Sequence, residues 1–223
     1  MDWITNRKGA AFNIDISTKC PLQCPKCMRT GYKPPLSGQD CTIEEFDKIT
    51  DFFSFVSFCG QISDPTAHPN FIDFLKMTFD KDVRTSVHTA ATHRPIDWYK
   101  KAFQSNPNAH WIFGLDGLPK DSHQYRINKD GEKLWEVMKI SSKMGMNVDW
   151  QWIIFKYNWK GLKIGLDMSY NYDIKLVPVT SQRWTDNDPL KPPQEVIECN
   201  NIEDIFSLIE DQNDKKTSTQ MYS

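Results

Sequence analysis

Six short runs rich in β-branched and aromatic residues, separated by stretches of helical periodicity, constrain this 223-residue chain more than any other feature. Ala11 to Thr18 alternates Phe12, Ile14 and Ile16 with Asn13, Asp15 and Ser17, as a strand with one buried face does. Phe55 to Gly60, Val83 to Thr89, His110 to Leu115, Val148 to Phe155 and Ile174 to Val179 supply the other five. Between the first two, Thr42-Ile-Glu-Glu45 reads as a capping box ahead of Phe46, Ile49, Phe52 and Phe53 at helical spacing. Phe71 to Phe79, Pro95 to Phe103 and Gly131 to Lys143 read as further helices, the last stopped near Gly145. Trp159 to Met168 is a weaker, glycine-interrupted helix. Strands alternating with helices pair in parallel through crossovers, which predicts an α/β fold; periodicity leaves open whether the sheet is open or closed.

After Pro189 the chain turns polar and proline-rich (DPLKPPQE), which divides it into residues 1–188 and 189–223. Ile202 to Ile209 reads as an amphipathic helix, and Asp211 to Ser223 as a solvated, disordered tail. The eight tryptophans are expected mainly in the core, with a minority lining a cleft.

The net charge of −2 gives no general pull toward nucleic acid or a membrane surface. Met1 to Lys8 lacks the apolar segment of a signal peptide, and no run approaches the roughly 20 apolar residues of a membrane helix. A cytoplasmic, reducing location is the resulting expectation. Six cysteines in such a compartment point to metal or redox chemistry rather than disulfides.

Three of those cysteines stand close together. Thr18-Lys19-Cys20-Pro-Leu-Gln-Cys24-Pro-Lys-Cys27 is a Cys-x3-Cys-x2-Cys loop directly after the first strand. Thiolates are soft ligands suited to iron–sulfur chemistry, and three of them leave one iron of a four-iron cluster without a protein ligand. Two other readings remain at this point. One is a structural zinc site with Cys41 or His68 as fourth ligand; the other is a closed electron-transfer cluster using Cys41.

The loop resembles the signature of the radical S-adenosylmethionine (SAM) superfamily, and the resemblance runs from about Ala11 to Trp184. It implies a partial (β/α)6 barrel of the TIM type. It also implies a 4Fe–4S cluster on Cys20, Cys24 and Cys27, with SAM on the remaining iron. In that family SAM is cleaved reductively to a 5′-deoxyadenosyl radical, which abstracts hydrogen from a substrate. An external one-electron donor, flavodoxin- or ferredoxin-like, is then required; the substrate is a peptide, a nucleic acid or a metabolite. Lys26 stands where the family usually has an aromatic residue.

Further motifs extend the likeness. Gly60-Gln-Ile-Ser63-Asp64-Pro65 is similar to the family's Gly-Gly-Glu-Pro segment, which implies SAM binding through Gly60 and Ser63, with Asp64 neutralising the SAM ammonium. His88-Thr89-Ala90-Ala91 takes the place of a Thr-Asn-Gly turn and makes His88 or Thr89 a SAM contact. Gly114-Leu-Asp116-Gly117 resembles the Ser-Leu-Asp-Gly motif of the SPASM and molybdenum-cofactor-biosynthesis-like branch, with Gly114 replacing serine. His123-Gln-Tyr125-Arg126 resembles its His-Asp…Arg stretch, in which Arg126 would pair with the SAM carboxylate. Gln151 on the fifth strand and Arg183 beyond the sixth complete the candidates. Cys199 alone follows the barrel, so the auxiliary-cluster extension of that branch is expected to be absent. The exchanges at Ala90, Ala91 and Gly114 leave room for a member that binds SAM without turning it over.

Overall fold

A strand buried on both sides of a parallel sheet needs a helix on one face, and the chain alternates the two accordingly. The structure, a computed structural model, describes residues 10–31 and 38–220; Met1 to Lys8 and the last residues of the tail lie outside them. Six strands pair in parallel in chain order: β1 (Ala11–Ile14), β2 (Phe55–Phe58), β3 (Arg84–Thr89), β4 (His110–Gly114), β5 (Asn147–Ile153) and β6 (Lys175–Val179). β1 and β6 are the two edges of this sheet, so it is an open, partial barrel of the α/β class. The crossovers carry α1 (Ile43–Phe52), α2 (Phe71–Asp80), α3 (Ile96–Ser105), α4 (Gly131–Lys143) and α5 (Leu162–Tyr170). Two helices follow β6: α6 (Gln194–Ile197) and α7 (Ile202–Gln220).

Alternation along the strands separates a dry face from a polar one. Trp111, Phe113, Trp150 and Trp152 are fully buried toward the helices. Trp111 meets Phe103 of α3 edge-on at 4.9 Å, and Trp150 meets Trp135 of α4 at 5.0 Å. A Cβ at Gly165 of α5 would stand 2.6 Å from the Trp152 ring, so only glycine lets that helix pack so closely. The opposite parity carries polar groups: Ser86 Oγ donates to Ser57 Oγ at 2.9 Å, and His110 pairs with Asp149 at 3.1 Å.

Local signals act as the sequence predicts. Thr42 Oγ1 accepts from Glu45 N at 3.1 Å while Glu45 Oε2 accepts from Thr42 N at 2.8 Å, which closes the capping box. Two boundaries differ. β1 ends at Ile14 rather than Thr18, because Asp15 leaves the ladder to bind another loop and the Ile16 carbonyl accepts from Cys41 N. α7 continues to Gln220, past Asp211 where the pattern predicts a disordered tail. Its first turns dock Ile205 and Ile209 into the main core, and no glycine or proline interrupts the segment that follows, so helix propagates from the docked end. Val196 of α6 enters the same core.

Two neighbouring tryptophans provide a test. Trp150 Nε1 donates to the Leu115 carbonyl at 2.7 Å, whereas the buried Trp152 Nε1 has no partner. Both lose ring volume on replacement by phenylalanine, but only Trp150→Phe also breaks a hydrogen bond and strands a carbonyl. Urea denaturation should show Trp150→Phe costing about 1–2 kcal/mol more than Trp152→Phe.

Candidate functional site

Parallel α/β sheets place their chemistry at the strand C-termini, and there the loop after β1 folds back across the sheet. Two backbone bonds anchor it: the Lys19 carbonyl accepts from Asp64 N at 2.9 Å, and Gln23 N donates to the Ile127 carbonyl at 3.2 Å. Inside the loop, Cys27 N and Thr30 Oγ1 both donate to the Cys24 carbonyl, at 3.1 and 2.9 Å. These bonds place Cys20, Cys24 and Cys27 together in the lining of one cavity. Gly60, Ser63, Asp64, His88, Arg126 and Gln151 line the same cavity; Asp116 does not.

Two carboxylates shape its β2 wall. Asp15 accepts from the backbone of Gln61, Ile62 and Ser63 at 3.2, 3.2 and 3.0 Å, and from Ser63 Oγ at 2.7 Å. Gly60 within this turn has φ +59°, and a Cβ there would meet the Ser63 carbonyl at 3.1 Å and the His88 carbonyl at 3.3 Å. Asp64, 4% exposed, accepts from Thr66 N and Oγ1, Thr89 Oγ1, Ala90 N and Ala91 N. With its oxygens so engaged, Asp64 gives the cavity a negative charge; a ligand ammonium would have to displace one of these donors to bond it directly.

The β4 wall is built around a cation. Asp116, fully buried, accepts from Arg126 Nε at 2.6 Å through one oxygen and from Ile153 N at 2.8 Å through the other. Asp116 therefore positions Arg126 from behind, while the guanidinium itself reaches the cavity. A Cβ at Gly114 would lie 2.8 Å from Arg126 Nη2, which explains glycine in place of the family's serine. Lys129, which the sequence reading passed over, is 7% exposed and donates to the Gly114 carbonyl at 2.6 Å and to Ser122 Oγ at 3.2 Å. Burial, with nearby Arg126, pulls its pKa down to about 7.

The cysteines answer to the same forces. Burial, reinforced by Asp64, pushes the Cys20 thiol up to about 12, and burial raises Cys24 as well. Both are thiols at neutral pH, so any metal held there would have to displace their protons. Cys59 also lines the cavity, but its thiol faces Asp15 Oδ2 at 3.8 Å, and burial together with that carboxylate raises it too. Burial likewise lowers His88, which favours a neutral imidazole in the cavity wall.

The zinc alternative finds no support among the described residues. His68 Nδ1 accepts from Asn70 N at 3.1 Å, which fixes the proton on Nε2, 3.0 Å from the Cys41 carbonyl; both nitrogens are used. Cys41 does not line the cavity, and no three His, Cys, Asp or Glu side chains converge closely enough for a single ion. Three soft thiols lining one cavity are a donor set of the kind that iron–sulfur clusters use. Lys26 turns away to pair with the buried Asp188 and lies 5.7 Å over the Trp184 ring. Arg183 lines a separate cavity with Trp184, Tyr125 and Phe155 and does not reach the cysteines.

Lys129 yields a stability test. Its folded pKa of about 7 lies below the ordinary lysine value of 10.5, so between these values the unfolded chain binds the extra proton and stability rises with pH. The urea midpoint of the metal-free protein, measured relative to Lys129→Met, should increase from pH 7 to about pH 8.5. A constant difference would contradict the burial of this amine.

No protein-family model matches the sequence, and no curated protein does so either. Solved structures match by shape. Streptococcus suis SuiB bound to its precursor peptide SuiA has a TM-score of 0.70 at 12% identity, over 92% of this chain and 46% of that one. anSMEcpe with bound AdoMet and the Kp18Cys peptide has 0.62 at 15%, over 81% and 55%. Methylornithine synthase (PylB) has 0.57 at 13%, over 81% and 58%. This chain thus spans about half the length of these structures, and likeness at such identities is likeness of fold. An open six-stranded α/β sheet with helices between its strands is the fold this chain shares with these neighbours.

Proposed function

We propose that this chain is a radical SAM enzyme in which Cys20, Cys24 and Cys27 hold a 4Fe–4S cluster and SAM occupies the iron without a protein ligand. The observation that carries this reading is the convergence of three thiols from one loop on a cavity that also receives Arg126. When bound, the cluster would supply the single electron that splits the SAM sulfonium and starts hydrogen abstraction. The protein's part is to bind, orient and exclude water. Arg126, braced by Asp116, offers guanidinium N–H groups to the SAM carboxylate. The Gly60–Ser63 turn, held by Asp15, presents backbone to the SAM amino group, and Asp64 contributes its charge. His88 and Gln151 place uncharged hydrogen-bonding groups on the inner wall for ribose or substrate.

Peptide is the substrate class favoured, because SuiB and anSMEcpe each bind one in the matched structures and the open sheet leaves a side for a chain to approach. The electron would come from an external flavodoxin- or ferredoxin-like donor. No helix among the described residues is long and apolar enough to cross a membrane, and a cytoplasmic site of action fits thiol-ligated iron. Residues 1–188 would form the catalytic unit, with the C-terminal helices docked on it.

Anaerobic reconstitution with iron and sulfide, followed by dithionite and SAM, tests the reading. The expected result is about four irons per chain and release of 5′-deoxyadenosine. Serine at Cys20, Cys24 or Cys27 should abolish both, whereas Cys41→Ser and Cys59→Ser should retain both. Iron loss in Cys59→Ser would reveal a closed four-thiol site and contradict the proposal. A loaded wild type that binds SAM without forming product would identify a member lacking turnover. Arg126→Lys should weaken SAM binding by about tenfold or more, since lysine cannot reproduce the planar fork.

A further inference from the structure

Lysine is rarely buried without an anionic partner, because an unpaired ammonium in a low-dielectric interior is costly. Lys129 is such a case. It is 7% exposed, and its two hydrogen-bond partners, the Gly114 carbonyl and Ser122 Oγ, are both neutral. The nearby carboxylate, Asp116, already accepts from Arg126 and Ile153 N. Arg126, Lys129 and Asp116 all bear on the Cys24 side of the cavity, and a thiolate at Cys24 favours the protonated form of Lys129, which leaves two cations against one carboxylate there. The Cys20 side differs, since there the Asp64 carboxylate outweighs the more weakly acting Arg29 and no excess of positive charge stands behind the thiol. Lys129 is fastened to the carbonyl of Gly114, whose residue forms part of the cavity wall, so its charge sits one peptide behind the site.

We propose that Lys129 is a positioning residue serving as fixed counter-cation to the Cys24-ligated side of the cluster, favouring the reduced state by its charge. This rests on the cluster assignment above. A thiolate-ligated cluster gains a negative charge on reduction, and a fixed cation behind a dry wall stabilises that charge more than solvent would. The amine that sheds its proton near neutrality beside a Cys24 thiol would be held as an ammonium beside a Cys24 thiolate. Neutral substitutes should fold, because removing an uncompensated buried cation relieves the metal-free protein of its desolvation cost.

The test is a potentiometric titration of the reconstituted full chain, followed by the electron paramagnetic resonance (EPR) signal of the reduced cluster, for wild type, Lys129→Gln, Lys129→Met, Lys129→Arg and Ser122→Ala. Lys129→Gln and Lys129→Met should move the midpoint to more negative potential, lowering the reduced-to-oxidised ratio at fixed solution potential by about tenfold. Lys129→Arg and Ser122→Ala should stay near wild type, since they keep the charge. Iron-loaded Lys129→Gln or Lys129→Met with an unchanged midpoint would overturn the inference. So would a Ser122→Ala shift as large as theirs, because the role would then be structural. Failure of the wild type to assemble a cluster would instead overturn the proposed function.

Discussion

The cavity depends on one buried carboxylate. Asp64 sits where the turns after β1, β2 and β3 meet, with its own amide on the Lys19 carbonyl beside Cys20 and its side chain holding Thr66, Thr89, Ala90 and Ala91. A buried carboxylate is stable only when such donors surround it, and five of them here come from two different loops. The bonds that satisfy its charge tie the turn after β3 to the turn after β2, and the Asp64 amide then holds the cysteine loop to both through the Lys19 carbonyl. Asp15 repeats the arrangement one strand earlier, gathering the Gln61, Ile62 and Ser63 amides.

Departures from the radical SAM motifs that the sequence resembles become consistent once contacts are considered. Gly114 in place of serine makes room for the Arg126 guanidinium, which would collide with any Cβ there. Ala90 and Ala91 in place of Asn-Gly lose side-chain polarity, yet their backbone amides do the bonding. Lys26 in place of an aromatic ties the cysteine loop to Asp188 and brings Trp184 beside it, so an aromatic ring reaches that neighbourhood from the far end of the barrel.

The architecture was legible because its determinants are local. Strand alternation, the Thr42–Glu45 capping box and the helix stop at Gly145 each act within a few residues, and the tryptophan-rich β5 declares its buried face by parity alone. The cysteine loop was legible for the same reason. Asp15 and Lys129 were not, because what defines them is long-range. Asp15 meets amides 46 to 48 residues away and looks in sequence like the polar half of a strand. Lys129 looks like an ordinary charged loop residue until the fold closes around it. Asp116 was found as part of a motif, whereas its position behind Arg126 is a matter of depth that spacing does not encode.

The central claim is that three thiolates leave one iron open to SAM. EPR spectroscopy of the dithionite-reduced, reconstituted protein, recorded before and after adding SAM labelled with nitrogen-15 at its amino group, tests it most directly. A changed signal with hyperfine coupling to the labelled nitrogen is the expected result. An identical spectrum from a cluster that is fully assembled and reduced would mean that the fourth iron is closed, and would contradict the account.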